Sequence, residues 1–169
     1  MRVLVAVASK HDATAEIAKA IGRELTVAGL EVEFKRARDI DDVTGYGAVV
    51  LGSAVYVGRW LPEAQQVIER HAVQLRARPV WLFSSGPIGS PDPKPSGEPP
   101  AIAELAQSIG ARGHRVFTGR LDRGHLSLGE KVVVAAVRAP DGDFRDWELI
   151  AAWAREIAAA LTHAGAIAS

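Results

Sequence analysis

The sequence of 169 residues contains no cysteine. This absence excludes structural disulfides, thiolate zinc sites, iron–sulfur ligation and a cysteine nucleophile. Neither sign of charge is in excess, because 20 Lys and Arg residues balance 20 Asp and Glu residues. A balanced charge argues against a protein that binds nucleic acid through bulk positive charge, so we expect no nucleic-acid partner.

Long hydrophobic runs are also lacking. The strongly apolar start, residues 3–8, is six residues long, and the polar run Ser9-Lys10-His11-Asp12 follows it at once. Such a run is too short for a signal segment or a membrane span, which predicts a cytoplasmic protein. The apolar fraction of 48% is ordinary for a globular protein. The length then predicts a single domain over residues 1–169.

The apolar pattern alternates between segments typical of strands and of helices. Strands are predicted at residues 2–7, 31–35, 48–51, 79–84 and 115–121, with 31–35 at an edge of the sheet. Helices are predicted at residues 14–28, 61–75, 100–111 and 147–161, the last capped by Asp143 or Asp146. This alternation predicts an α/β fold with a parallel sheet covered by helices on both faces. Five strands in this length favour the flavodoxin-like order 2-1-3-4-5.

Two segments interrupt the series. Residues 86–100 hold six of the nine prolines, which predicts a stiff, extended loop. Residues 126–137 fit either a strand or a helix, and their length favours the helix. Around them, residues 111–138 carry six Lys or Arg residues against two acids. This excess is either a solvated face or an edge for an anionic partner or a membrane surface, which makes peripheral membrane contact a possibility.

Ligands of an open parallel sheet bind beyond the carboxyl ends of the strands, where the strand order reverses. The loop after the first strand leads directly into a helix, whose free N–H groups, with nearby hydroxyls, can hold a phosphate. The alternative is that Asp12 or Thr14 only caps the helix. The residues of this loop are Ser9, Lys10, His11, Asp12, Ala13 and Thr14.

Two further loops should meet the first at this edge. One places an aromatic among small residues: Ser53, Ala54, Val55, Tyr56, Val57 and Gly58. Here Tyr56 and Ser53 suit a flat polar ring, whereas Trp60 is expected to pack under the next helix. The other is rich in residues that let a backbone approach a ligand, although an ordinary turn would use the same residues. Its members are Ser84, Ser85, Gly86, Pro87, Ile88 and Gly89.

These segments carry a resemblance to a known family. The apolar strand followed by Ser-x-x-x-x-Thr, Ser9 to Thr14, is similar to the phosphate loop of flavodoxins. The runs Leu51-Gly52-Ser53-Ala54, Tyr56-Val57-Gly58 and Gly142-Asp143-Phe144-Arg145-Asp146-Trp147 resemble the flavodoxin-domain family of bacterial menaquinone-dependent protoporphyrinogen oxidase. The resemblance implies FMN held without a covalent bond. It also implies that the first loop binds the phosphate and that the other two enclose the isoalloxazine.

The chain departs from typical flavodoxins in three respects, one of which is that residues 84–97 contain no aromatic to flank the ring. Electron-carrier flavodoxins are strongly acidic, whereas this chain is neutral, and Asp12 stands where glycine is commonest in the phosphate loop. The first hypothesis is an FMN-dependent oxidoreductase of the protoporphyrinogen-oxidase type, with a quinone or porphyrin-like small molecule as partner. No catalytic side chain and no metal site are assigned, and His125 is the one candidate acid or base. The alternatives are an electron shuttle between redox proteins and a flavodoxin-like binding module without flavin.

Overall fold

The computed structural model describes residues 1–86, 99–121, 142–143 and 145–167. The predictions for the proline-rich loop and for the helix at 126–137 lie largely or wholly outside these residues. The same holds for Pro87, Ile88, Gly89 and His125.

Strands and helices alternate along the described chain. The strands are β1 (Arg2–Ala8), β2 (Glu31–Arg36), β3 (Ala48–Tyr56), β4 (Arg59–Trp60), β5 (Val80–Ser85), β6 (Gly113–Phe117), β7 (Arg120–Leu121) and β8 (Gly142–Asp143). The helices are α1 (Ala13–Val27), α2 (Pro62–Arg70), α3 (Ala72–Arg76), α4 (Pro100–Ser108) and α5 (Trp147–Ile167), with a short 3₁₀ turn at Ala37–Asp39.

Five of the strands form a parallel sheet in the order β2-β1-β3-β5-β6. Counted along the parallel strands alone, this order is 2-1-3-4-5, so the predicted flavodoxin-like α/β fold is confirmed. The edge position of β2 is confirmed as well. The chain leaves β1 toward β2 on one side and returns to β3 on the other, which makes the β1–β3 boundary the point where a ligand is expected.

The core lies on both faces of this sheet. Residues 3–7 are fully buried, because alternate side chains of β1 enter two different apolar layers. One layer joins Val3 and Val5 to Ile17 of α1 and Ile157 of α5. The other joins the opposite face of β1 to α2, α3 and α4. The α1 stripe forms because Ile17, Ile21 and Leu25 recur at helical spacing on one side.

Several predicted bounds were wrong; for example, α4 ends at Ser108 instead of residue 111, and α5 continues to Ile167 instead of ending at residue 161. Strand β3 continues to Tyr56 instead of ending at residue 51, because Ser53 and Ala54 still pair with Ser84 and Ser85. The small residues that indicated a loop are therefore part of the sheet. The helix expected at 61–75 is divided at His71, whose φ of −113° is not helical. The strand expected at 115–121 is divided into β6 and the short β7.

The start of α5 agrees with the sequence. Asp146 caps this helix, since its carboxylate accepts a hydrogen bond from the Leu149 N–H at 3.0 Å. Within the described residues, no helix is long and apolar enough to cross a membrane.

Candidate functional site

The first loop links the end of β1 to the start of α1. Asp12 adopts a left-handed conformation with φ of 60°, and its carbonyl accepts the Glu16 N–H at 2.9 Å. The Ala13 N–H is bonded back to the His11 carbonyl at 2.8 Å. The remaining first-turn N–H groups have no carbonyl one turn earlier in the helix to bond. The geometry therefore provides the helix N-terminus at which anions bind.

The side chain of Asp12 pairs with a cation from the neighbouring strand. Its carboxylate accepts a 2.7 Å hydrogen bond from the Arg36 guanidinium at the end of β2. This hydrogen bond and the charge of Arg36 lower the pKa of Asp12 below its usual value. The left-handed φ also explains why a glycine would suit this position, since only glycine adopts it without steric cost. Asp12, the acidic residue that departs from the family pattern, is thus paired with a positive charge.

The second loop is the tip of a β-hairpin. Strands β3 and β4 pair Tyr56 with Arg59, and the two residues between them, Val57 and Gly58, have φ of 50° and 71°. Positive φ at both positions is what a two-residue type I′ turn requires. For a β-branched residue such as Val57 this conformation is unfavourable, and the residue is 82% exposed. Tyr56 is half-buried beside this turn.

The first and second loops contact each other. The Nζ of Lys10 lies 5.4 Å from the centroid of the Tyr56 ring, a distance that allows a cation–π interaction. Lys10 follows β1 and Tyr56 is the last residue of β3, and the order of the sheet reverses between these two strands. Two segments that the sequence separates by more than 40 residues therefore meet at the predicted place.

Ser53 and Trp60 support the hairpin from the protein side. Ser53 is fully buried, donates to the Ala54 carbonyl at 2.8 Å and accepts from the Leu61 N–H at 3.0 Å. Its hydroxyl is thus engaged within the chain and does not reach outward to a ring. Trp60 is only 2% exposed and packs with Ala64 of α2, so the prediction that it packs under the next helix is confirmed.

The third loop begins at the end of β5, next to the hairpin. Ser84 is fully buried; its hydroxyl accepts from the Trp60 Nε1 and is hydrogen-bonded to the His114 Nε2, both at 2.7 Å. Gly86 has φ of 78°, and its N–H donates to the Phe117 carbonyl at 3.0 Å. The sequence contained no signal for His114, because a single histidine in a strand indicates nothing about its partner.

Arg145, just before α5, contacts the first turn of α1. Its side chain is 4% exposed, and its guanidinium donates to the Ala13 carbonyl at 3.2 Å and to the Glu16 carboxylate. It also binds the Asp143 carboxylate, with Nε to Oδ1 at 2.8 Å, and stacks on the Trp147 ring at 4.6 Å. Hydrogen bonding between Arg145 and Asp143 lowers the pKa of Asp143 and raises the pKa of Arg145.

The comparison with known families agrees with this geometry. The sequence model described as the flavodoxin domain matches residues 4–147. The chain belongs to the flavodoxin-domain family. The match spans all three loops and reaches Trp147, the first residue of α5. No curated protein matches the chain.

Solved structures of low identity share the fold of this flavodoxin domain. A flavodoxin from the domain Archaea has 20% identity over 82% of this chain and 97% of its own, with a TM-score of 0.56. A cysteine-to-serine mutant of flavodoxin from Pseudomonas aeruginosa has 18% identity over 96% and 99% of the two chains, with a TM-score of 0.61. Rubredoxin oxygen:oxidoreductase from Desulfovibrio gigas has 17% identity over 96% of this chain and a TM-score of 0.64, and the match covers 36% of that protein.

Proposed function

We propose that this flavodoxin-domain chain binds FMN without a covalent bond and transfers electrons through it. The observation that carries the proposal is the contact between Lys10 and Tyr56, which joins the predicted phosphate loop to the predicted ring loop at the β1–β3 boundary. Membership of the flavodoxin-domain family supports the same cofactor. When bound, FMN supplies the redox chemistry, and the protein supplies binding, orientation and the electrostatic environment.

The first loop fits the phosphate end of FMN. The start of α1 offers N–H groups that the helix cannot use, and Ser9 and Thr14 bracket it with hydroxyls. Lys10 is exposed and adds a positive charge. The one acidic side chain of the loop, Asp12, is paired with Arg36 and so repels an anion less than a free carboxylate would.

The other two loops fit the isoalloxazine end. Tyr56 presents a half-buried ring, and Gly86 has no side chain to block the approach of a ligand to the backbone. Ser53 and Ser84 contribute indirectly, because their buried hydroxyls form hydrogen bonds that hold the hairpin and the end of β5 in place. Val55, Val57 and Gly58 complete the hairpin, and we assign Ala54 and Ser85, paired across β3 and β5, to the same wall. Pro87, Ile88 and Gly89 remain predicted contacts.

The phosphate assignment is tested by removing both hydroxyls of the first loop. Ser9→Ala combined with Thr14→Ala is expected to weaken FMN far more than riboflavin, because riboflavin has no phosphate. Each lost hydrogen bond to a charged group is worth about 1.5–3 kcal/mol. Fluorescence titration of the apoprotein with both flavins gives the two affinities. Equal weakening of FMN and riboflavin would exclude this loop as the phosphate site.

For the reaction itself we propose oxidation of a small or membrane-dissolved substrate of the protoporphyrinogen type, with a quinone as acceptor, in the cytoplasm. The motifs shared with that family support it, and so does the balance of 20 basic and 20 acidic residues. An acidic shuttle finds basic partners through a long-range field, which a neutral chain does not generate. The assay is reduction of the bound flavin by protoporphyrinogen and its reoxidation by menadione.

A flavodoxin-type shuttle is the second candidate, and its support is the fold shared with flavodoxins over nearly their whole length. Electron exchange with a redox protein should then be fast and should slow steeply as salt screens the charges. That result, together with no reaction with protoporphyrinogen, would decide for the shuttle. A chain that neither binds FMN nor reacts in either assay would be the flavin-free binding module.

A further inference from the structure

Arg145 joins the segment before α5 to the first turn of α1. It is a nearly buried cation, with 4% of its side chain exposed, in a position 132 residues after Ala13. A guanidinium withdrawn from water needs several acceptors to offset its lost hydration. Here the carboxylates of Asp143 and Glu16 and the Ala13 carbonyl provide them. The guanidinium is shielded from water, whereas the side chains of Glu16 and Asp143 are 47% and 42% exposed.

The contact acts on the turn that the proposed function assigns to the phosphate. Arg145 binds the backbone of residue 13 and the side chain of residue 16, which flank Thr14 and Ala15 in the sequence. Holding both ends restricts the orientation in which the N–H groups of Thr14 and Ala15 point. An anion site gains affinity when its donors are fixed before the ligand arrives.

The contact also changes the charge near that turn. Glu16 is the acidic residue in the first turn of α1, and an unpaired carboxylate there would repel a phosphate. Arg145, whose single positive charge is shared with Asp143, offsets part of this negative charge. The single guanidinium therefore acts on the turn in two ways, through geometry and through charge.

We infer that Arg145 is a positioning residue for phosphate binding: it fixes the first turn of α1 and offsets part of the Glu16 charge, and so favours a phosphate-bearing flavin over riboflavin. This inference rests on the proposed function, because it assumes that FMN binds at this turn.

The experiment compares Arg145→Gln with a matched control, Arg155→Gln. Arg155 also joins α5 to α1, through Glu24 at 2.9 Å, but this contact lies well beyond the first turn of either helix. Each variant apoprotein is titrated with FMN and with riboflavin, and its free energy of unfolding is measured in urea. The ratio of the two flavin affinities reports on phosphate binding, which a loss of general stability would not change.

We expect Arg145→Gln to weaken FMN about tenfold and riboflavin less than about twofold, whereas Arg155→Gln should leave the ratio unchanged. Adding Glu16→Gln to Arg145→Gln should restore part of the loss, about threefold, by removing the unpaired charge. Arg145→Lys keeps the charge without the planar fork and should fall between wild type and Arg145→Gln, and it serves as the test if Arg145→Gln does not fold.

Equal weakening of both flavins by Arg145→Gln, or an equal change of the ratio in Arg155→Gln, would overturn the inference. If Arg145→Gln does not fold, an Arg145→Lys variant with the wild-type ratio of FMN to riboflavin affinity would also overturn the inference. A wild-type protein that binds riboflavin as tightly as FMN would instead contradict the proposed phosphate site itself. The two failures are therefore distinguishable.

Discussion

Gly52, beneath the candidate site, makes the sharpest structural prediction. It pairs across the sheet with Phe83, whose ring lies over the glycine so closely that a Cβ there would overlap three ring carbons. To restore an ordinary carbon–carbon contact of about 3.5 Å, the ring would have to retreat by about 1.5 Å. Phe117 and Trp153 oppose that movement, with ring centroids 6.2 Å and 6.3 Å from that of Phe83.

Gly52→Ala should therefore destabilise the protein by about 3 kcal/mol, the upper part of the range for overpacked cores. For a domain of this size that corresponds to a fall in Tm of about 6–12 °C. Urea and thermal unfolding of the apoprotein measure both quantities. Gly45→Ala is the control, because its new Cβ would meet only the Arg2 Nη1 at 3.8 Å. A loss of less than about 0.5 kcal/mol in Gly52→Ala would refute the close packing of Phe83 on the strand.

Four further predictions concern single side chains. Tyr56→Ala should change the absorption fine structure and fluorescence of bound flavin with little change in stability. Trp60→Phe, which removes the hydrogen bond to Ser84, should cost about 1–3 kcal/mol of unfolding free energy and leave the flavin spectrum unchanged. Gly22→Ala should stabilise α1 by about 0.5–1 kcal/mol in urea unfolding, since its Cβ meets Val32 Cγ1 at an ordinary 3.4 Å. Arg145 lowers the pKa of Asp143 in the folded state. The stabilisation from this ion pair is therefore present above the Asp143 pKa of about 3.9 in the unfolded state. It is lost as the pH falls through the lower pKa of the folded state. Asp143→Asn should destabilise the protein at about pH 6 in urea unfolding, and the difference should shrink as the pH falls below about 3.9.

The parallel sheet could be predicted from the sequence because its buried strands are short apolar runs alternating with helical segments, and its order followed from five strands in a chain of this length. The place of the site followed from that order. The extent of β3 could not be predicted, since Ser53 and Ala54 resemble loop residues and become strand only by pairing with β5. Composition carries no information about such a partner strand.

The long-range partners of several side chains could not be predicted from the sequence either. Asp12 looked unfavourable for a phosphate loop, and only the fold brings Arg36, 24 residues later, to its carboxylate. Ser53 and Ser84 looked like ligand contacts, yet their hydroxyls bond within the protein. Arg145 had no visible role because its partner Glu16 on α1 is 129 residues away. Long-range pairing of this kind depends on tertiary structure, which local pattern does not encode.

The most direct test of the central claim is an absorption spectrum. The purified protein, or the apoprotein after incubation with FMN and removal of the unbound flavin, is expected to show the two visible bands of oxidised flavin. Denaturation should release the flavin, because the attachment is not covalent, and chromatography should identify it as FMN. A colourless protein that takes up no FMN on reconstitution, although it remains folded, would contradict the account.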